Sequence, residues 1–356
     1  MTHALACACG PAGRRGFLTG LLALGAAAVL PGCSTASPSA VAVVAPPAEP
    51  RIDTHHHCFS PAYVRELDKA GQAPPIVKNW SLAKTMDDMA KAGVGTAILS
   101  VTTPQASFAD AANAPRIARE CNEYAARLGT DHRGKFGSFA MLPMHSTDLA
   151  LRELEYALDV LKADGIGLLT SYGDKWLGHP QFAPIMDELN RRKAILYTHP
   201  TVAGCCGNLL PEIPATVVEF GTDTTRTIVD VVFSGTAARC PDVRFIFSHA
   251  GGTLPFLTER LTRLPGADPR LAARVPRGVL TELKRFYYDT AWTANPMALA
   301  SLTKLVDVPQ MLFGSDYPYR TGEDHVKGLA AYGFGANDLR AISRGNAQRL
   351  MPRWAV

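Results

Sequence analysis

From residue 51 onward the chain alternates short, apolar, β-prone runs with longer stretches of helical periodicity, and it does so eight times. The runs are 51–55, 96–101, 136–142, 166–170, 194–198, 243–248, 286–289 and 311–314. Helix-like stretches at 82–92, 111–128, 148–163, 182–192, 224–239 and 296–305 lie between them. Strands separated by helices run parallel, because a parallel pair needs a crossover connection where an antiparallel pair needs only a hairpin. Eight such units in about 300 residues is the count of a (β/α)8 TIM barrel of the α/β class, one domain over residues 51–352. An open doubly wound sheet is the alternative, but no Gly-x-Gly-x-x-Gly follows the first run, which argues against dinucleotide binding. Gly93 and Gly165 stand just before the second and fourth runs, where a helix C-cap favours a left-handed residue. With 47% hydrophobic and 19% charged residues, the chain can bury such a core and is not a disordered sequence.

Polar chemistry gathers at the ends of the runs. The first reads Ile52-Asp53-Thr54-His55-His56-His57, and side chains two apart on a strand share a face, so His55 and His57 converge while His56 points away. The fifth run leads into His199-Pro200, the sixth into Ser248-His249-Ala250-Gly251-Gly252, and the eighth into Ser315-Asp316-Tyr317-Pro318. In a barrel these strand ends meet on one face, where active sites sit. Neutral imidazoles converging there suit Zn²⁺, Fe²⁺ or Mn²⁺. A hydrogen-bonded core histidine accounts for any one of these residues, but packing does not account for four histidines and an aspartate together. His132, His145, His179 and His325 are read as packing or exposed histidines.

With these residues in hand the chain resembles the amidohydrolase superfamily, in its branch of metal-dependent decarboxylases related to 2-amino-3-carboxymuconate-6-semialdehyde decarboxylase. The resemblance rests on His55-x-His57, His199, His249 and Asp316 and covers most of residues 51–352. Finer stretches are similar to 6-methylsalicylate decarboxylases: Leu99-Ser100, Phe139-Ala140-Met141-Leu142-Pro143, Thr170-Ser171-Tyr172-Gly173-Asp174, Ser248-His249-Ala250-Gly251-Gly252-Thr253, Tyr288-Asp289-Thr290 and Gly314-Ser315-Asp316-Tyr317-Pro318. The resemblance implies that His55, His57, His199 and Asp316 ligate one divalent metal, zinc in the first place and manganese as the alternative. It implies His249 as the catalytic histidine and Asp316 as a proton carrier as well as a ligand. Arg260, eleven residues after His249, matches an arginine that in relatives reaches the neighbouring subunit's site, which implies substrate binding across a homodimer. A surface arginine is the plainer reading of Arg260. A second carboxylate-binding arginine of some relatives has no counterpart before the second run, where Lys84 is the nearest cation. The bridging lysine of binuclear hydrolases is also missing, since the fourth run ends Leu168-Leu169-Thr170-Ser171-Tyr172. The implied reaction is release of CO2 from an aromatic or enol-like carboxylic acid such as a 6-methylsalicylate-type hydroxybenzoate. The alternatives are a mononuclear hydrolase of the superfamily, such as a lactonase, and a non-catalytic metal- or ligand-binding lipoprotein.

The first 50 residues are of another kind, with no Lys or Asp and Glu49 as the one acid. Arg14-Arg15-Gly16-Phe17-Leu18 resembles a twin-arginine export signal, and the apolar run 17–30 is too short to span a bilayer comfortably. Leu30-Pro31-Gly32-Cys33 resembles a lipobox, so residues 1–32 are expected to be a signal peptide and Cys33 a lipid anchor, with residues 33–50 a Pro/Ala/Ser-rich tether. The chain is therefore expected in the periplasm or on a membrane. Of the remaining cysteines, Cys58, Cys121, Cys205, Cys206 and Cys240 are odd in number and lack zinc-ribbon spacing, so buried thiols are expected, with the Cys205-Cys206 pair open between a redox or metal feature and plain loop. Lys plus Arg number 36 against 32 Asp plus Glu, with no basic block, so no nucleic-acid partner is expected.

Overall fold

The computed structural model describes residues 49–355, and the signal, lipobox and most of the tether expected before them lie outside the described residues. Eight parallel strands carry the molecule: β1 (Arg51–His57), β2 (Val94–Ser100), β3 (Phe136–Met141), β4 (Gly165–Leu169), β5 (Ile195–His199), β6 (Arg244–Phe247), β7 (Tyr287–Asp289) and β8 (Met311–Leu312). They pair in sequence order from β1 to β8. The ring closes between β8 and β1, where Thr54 N–H donates to Phe313 O at 2.9 Å, Asp316 N–H to His55 O at 2.8 Å and His57 N–H to Tyr317 O at 2.8 Å. Closure leaves the eight-stranded ring without a free edge, the liability of an open sheet.

A principal helix follows each strand: α1 (Leu82–Ala92), α2 (Ala114–Asp131), α3 (Thr147–Glu155), α4 (Ala183–Arg191), α5 (Glu219–Phe233), α6 (Leu254–Ala267), α7 (Pro296–Leu305) and α8 (Gly322–Tyr332). Each buries its apolar stripe against the outside of the ring, as in α1, where Thr85, Met89 and Ala92 are buried at helical spacing. Ser81 accepts the Lys84 N–H to start α1, and Gly93, left-handed at φ 64°, ends it.

Gly165 is a different case from the helix cap expected of it. It opens β4 in ordinary extended backbone, and a Cβ there would lie 2.6 Å from the Ile195 carbonyl oxygen, so close strand approach is what calls for glycine. The helical stretch expected over 148–163 also divides, α3 passing at Tyr156 into a π-turn over Tyr156–Val160. The stretch expected over 224–239 begins earlier, at Glu219, and breaks at left-handed Gly235. The inside of the ring is filled by Ile52, Ile98, Phe139, Tyr197, Ile246 and Leu312, all buried, which seals the floor beneath the C-terminal strand ends. A register shift of β1 between Asp53 and His56 lets Ile52 join that floor although His55 and His57, of opposite parity, also turn inward. No helix among the described residues is long and apolar enough to cross a membrane.

Candidate active site

The C-terminal strand ends bring four of the expected residues to one point. His55 and His57 stand at the end of β1, with their Nε2 atoms 3.2 Å apart. His199 closes β5. Asp316 lies in the turn after β8, left-handed at φ 61°, and its Oδ1 is 2.7 Å from His57 Nε2, 3.0 Å from His55 Nε2 and 3.9 Å from His199 Nε2. All four are buried, and one donor atom from each falls within 4.8 Å of the rest. His56 points away, stacked on Tyr317 with ring centroids 4.8 Å apart and its Nδ1 3.0 Å from Asp53.

The far nitrogen of each converging ring is anchored. His55 Nδ1 lies 2.9 Å from Asp289 Oδ2, His57 Nδ1 lies 3.1 Å from Ser100 Oγ and 3.3 Å from its carbonyl, and His199 Nδ1 lies 2.8 Å from the Pro200 carbonyl. Carboxylate and carbonyl oxygens only accept, so these partners accept the Nδ1–H of His55 and His199, which makes Nε2 the nitrogen of each ring that can ligate a metal. Such a set of nitrogen lone pairs and one carboxylate, shut off from water, is what a first-row divalent cation needs. The residues present fit a metal.

Burial and the neighbouring carboxylates set the charge of these groups. Burial opposes charge on His55, yet the Asp289 and Asp316 carboxylates outweigh it and raise the group to about 10. Burial pushes His199 down to about 3, and it also lowers His57. Burial alone would raise Asp316, but the surrounding imidazoles hold it well below the usual carboxylate range.

His249 follows β6 in a run of left-handed backbone, His249 at φ 53° and Ala250 at φ 55° continuing into Gly251 and Gly252. Its backbone N–H donates to Asp289 Oδ1 at 3.0 Å, which aims the ring at the cluster; Nε2 lies 3.5 Å from Asp316 Oδ2 and has no hydrogen-bond partner. A buried imidazole nitrogen without a partner marks a place for a ligand. Arg260 lies on the exposed side of α6 and makes none of the contacts of this cluster within one chain. No lysine stands at the end of β4, which leads from Leu169 into Thr170 and Ser171.

Three further side chains belong to the site. Asp289 at the end of β7 joins His55 to the His249 turn, Trp292 donates its indole N–H to Asp316 Oδ2 at 2.5 Å, and Ser100 at the end of β2 holds His57. Asp289 and Ser100 lie in motifs quoted above at strand ends, and that position was the one signal for them. Phe220 and Tyr319 form walls, their rings 6.0 Å from His199 and 5.9 Å from His57. Cys205 and Cys206, in the loop after β5, form a disulfide between neighbouring residues, while Cys58, Cys121 and Cys240 are buried free thiols.

Comparison with known proteins agrees with this geometry. The amidohydrolase profile matches residues 52–353. The chain belongs to the amidohydrolase family. Decarboxylase yanB of Aspergillus niger is 37% identical over 328 residues, which span 86% of this chain and 88% of the relative. The 6-methylsalicylic acid decarboxylase acuB of Aspergillus aculeatus is 39% identical over 277 residues, 75% of this chain and 84% of the relative. Among solved structures, a dihydroxybenzoic acid decarboxylase from Polaromonas sp. JS666 with bound manganese and the inhibitor 2-nitroresorcinol shares the fold at a TM-score of 0.76 and 21% identity, covering 85% of this chain and 97% of that one. This amidohydrolase is a decarboxylase, a carboxy-lyase that releases CO2, and its buried histidine and aspartate cluster could hold a metal.

Proposed function

We propose that the substrate is an aromatic acid with a hydroxyl ortho to the carboxylate, of the 6-methylsalicylate type. The observation that carries this is the buried three-histidine, one-aspartate cluster with no lysine beside it and with His249 and the outer oxygen of Asp316 facing one another across 3.5 Å. A relative at 39% identity that is named for 6-methylsalicylic acid supports it. His55, His57, His199 and Asp316 would hold the metal, zinc or manganese, both of which suit this donor set. When bound, the metal supplies a Lewis acid for the substrate's oxygens.

The chain's own residues do the rest. Asp289 and the backbone of the His249 turn hold the rings of His55 and His249 rigid, so little reorganisation accompanies the reaction. Phe220 and Tyr319 give the ring an apolar seat and exclude water. The carbon–carbon bond to the carboxylate breaks, its electron pair stays on the ring carbon, and a proton carried at Asp316 Oδ2 or His249 Nε2 replaces CO2 there. Arg260 would bind the substrate carboxylate from a neighbouring copy in a homodimer. Export by the twin-arginine segment and lipidation at Cys33 complete the proposal, and the intact mass of protein from the membrane fraction tests the lipid.

The test of the reaction is purified protein loaded with Zn²⁺ or Mn²⁺ and offered a panel of hydroxybenzoates. CO2 release is the expected result. Cleavage of lactones, esters or amides with ¹⁸O from water in the product, and no CO2, would establish the hydrolase reading instead. For the non-catalytic alternative, His249→Ala would leave the only measurable property, metal affinity, unchanged and show no turnover to lose.

A further inference from the structure

Trp292 stands three residues beyond the end of β7. Its indole Nε1–H donates to Oδ2 of Asp316 at 2.5 Å, while Oδ1 of the same carboxylate faces His57 Nε2 at 2.7 Å and His55 Nε2 at 3.0 Å. The two oxygens therefore have separate surroundings, one inside the histidine cluster and one outside it. Burial does not explain why the indole is there, since the residue is 49% exposed and the Arg320 guanidinium lies 5.0 Å over its ring. Its backbone is left-handed at φ 57°, which a bulky side chain adopts only when its surroundings require it.

His325, on α8, supplies the requirement. It is buried, and its Nδ1 lies 2.9 Å from the Thr321 carbonyl, so Nδ1 carries the proton and Nε2 accepts; the group that it accepts from is the Trp292 backbone N–H, at 2.9 Å. A histidine expected to be a packing residue is thus two hydrogen bonds away from the metal-site carboxylate.

We propose that Trp292 is a positioning residue for Asp316 and that His325 sets Trp292: the indole N–H holds Oδ2 outside the cluster, beside His249, so that Asp316 faces the histidines through Oδ1 alone. The inference rests on the proposed roles of Asp316. Removing the indole N–H frees the carboxylate to rotate, which weakens metal binding and misplaces the oxygen next to His249 without altering the walls that touch the substrate.

Mn²⁺ titration of the full chain, followed by equilibrium dialysis and by tryptophan fluorescence, tests it with Trp292→Phe, His325→Leu and His325→Gln. The chain has four tryptophans, and Trp292 is the one that contacts a cluster residue among the described contacts, so the wild-type emission change on loading is expected to vanish in Trp292→Phe. That variant should bind Mn²⁺ about 10- to 100-fold more weakly, the usual effect of losing an outer hydrogen bond to a ligand. Its kcat should fall similarly, with KM within about twofold. His325→Leu should match it, and His325→Gln, whose Oε1 can accept the same N–H, should stay within about threefold of wild type. Should Trp292→Phe fail to fold, the contrast between His325→Leu and His325→Gln decides alone. Variants indistinguishable from a wild type that binds Mn²⁺ overturn this proposal alone, and a wild type that takes up no Mn²⁺ overturns the metal reading together with it.

Discussion

At the scale of residues, the convergence of the cluster histidines could be read from spacing because two of them share one strand, and side-chain alternation puts i and i+2 on one face whatever the rest of the fold does. Their supports could not be read in the same way. Asp289 reaches His55 across 234 residues, and no local pattern reports such a hydrogen bond. Asp289 fixes the orientation of the ring it holds. Asp289→Asn is expected to lower metal affinity about 10- to 100-fold with the fold intact, measured as metal retained after dialysis. Proton competition gives a second expectation. With its group raised to about 10, His55 of the metal-free protein holds a proton at neutral pH that a metal has to displace. Apparent affinity should therefore rise by about tenfold per pH unit between pH 7 and 9, with about one proton released per ion bound, measurable by calorimetry in buffers of different ionisation enthalpy. In stability terms the sign is that of a raised imidazole: the benefit to the metal-free protein is complete below its ordinary value of 6.5 and is lost as pH climbs through about 10.

At the scale of elements, all eight strands lie where apolar runs marked them, and most boundaries move by one to three residues. The larger differences have local causes: a π-turn at Tyr156 shortens α3, Gly235 ends the helix that carries Glu219, and Gly165 serves strand approach instead of a cap. What periodicity did not reveal was the backbone at the strand ends, where His249, Ala250, Trp292 and Asp316 are all left-handed, because such turns are imposed by contacts distant in sequence. Gly314 shows how tightly these ends are packed. A Cβ there would lie 2.8 Å from the Cβ of His55 and 3.2 Å from that of Asp289. Gly314→Ala should therefore part β8 from both, at a cost of about 1–3 kcal/mol in urea unfolding and with metal affinity lowered in the same protein. An alanine variant with wild-type stability and full metal content would show that this approach is looser than described.

At the scale of the whole molecule, the alternation of runs implies a ring, and one carboxylate reinforces the backbone hydrogen bonds that close it. Asp53 accepts the backbone N–H groups of His55 and Ser315 and the Ser315 hydroxyl, and it lies 3.0 Å from His56 Nδ1, tying the first strand to the segment after the last. Asp53→Ala leaves those buried donors unpaired and should cost about 3 kcal/mol, seen as a lower urea midpoint, with loss of metal because His55 and Asp316 lie on the two sides of the seam. The aspartate was visible in the first strand, but its partner lies 262 residues away, so its role waited for the closed ring. The same ring puts the cluster on the face where barrel enzymes work, and there the reaction itself is the decisive observation. The metal-loaded protein is incubated with 6-methylsalicylate and related hydroxybenzoates in D2O, and the product is examined by mass and NMR. Loss of CO2 with one deuterium at the carbon that carried it, abolished by chelation and in Asp316→Asn, is the predicted result; an unchanged acid beside ¹⁸O-labelled cleavage of a lactone or amide would contradict it.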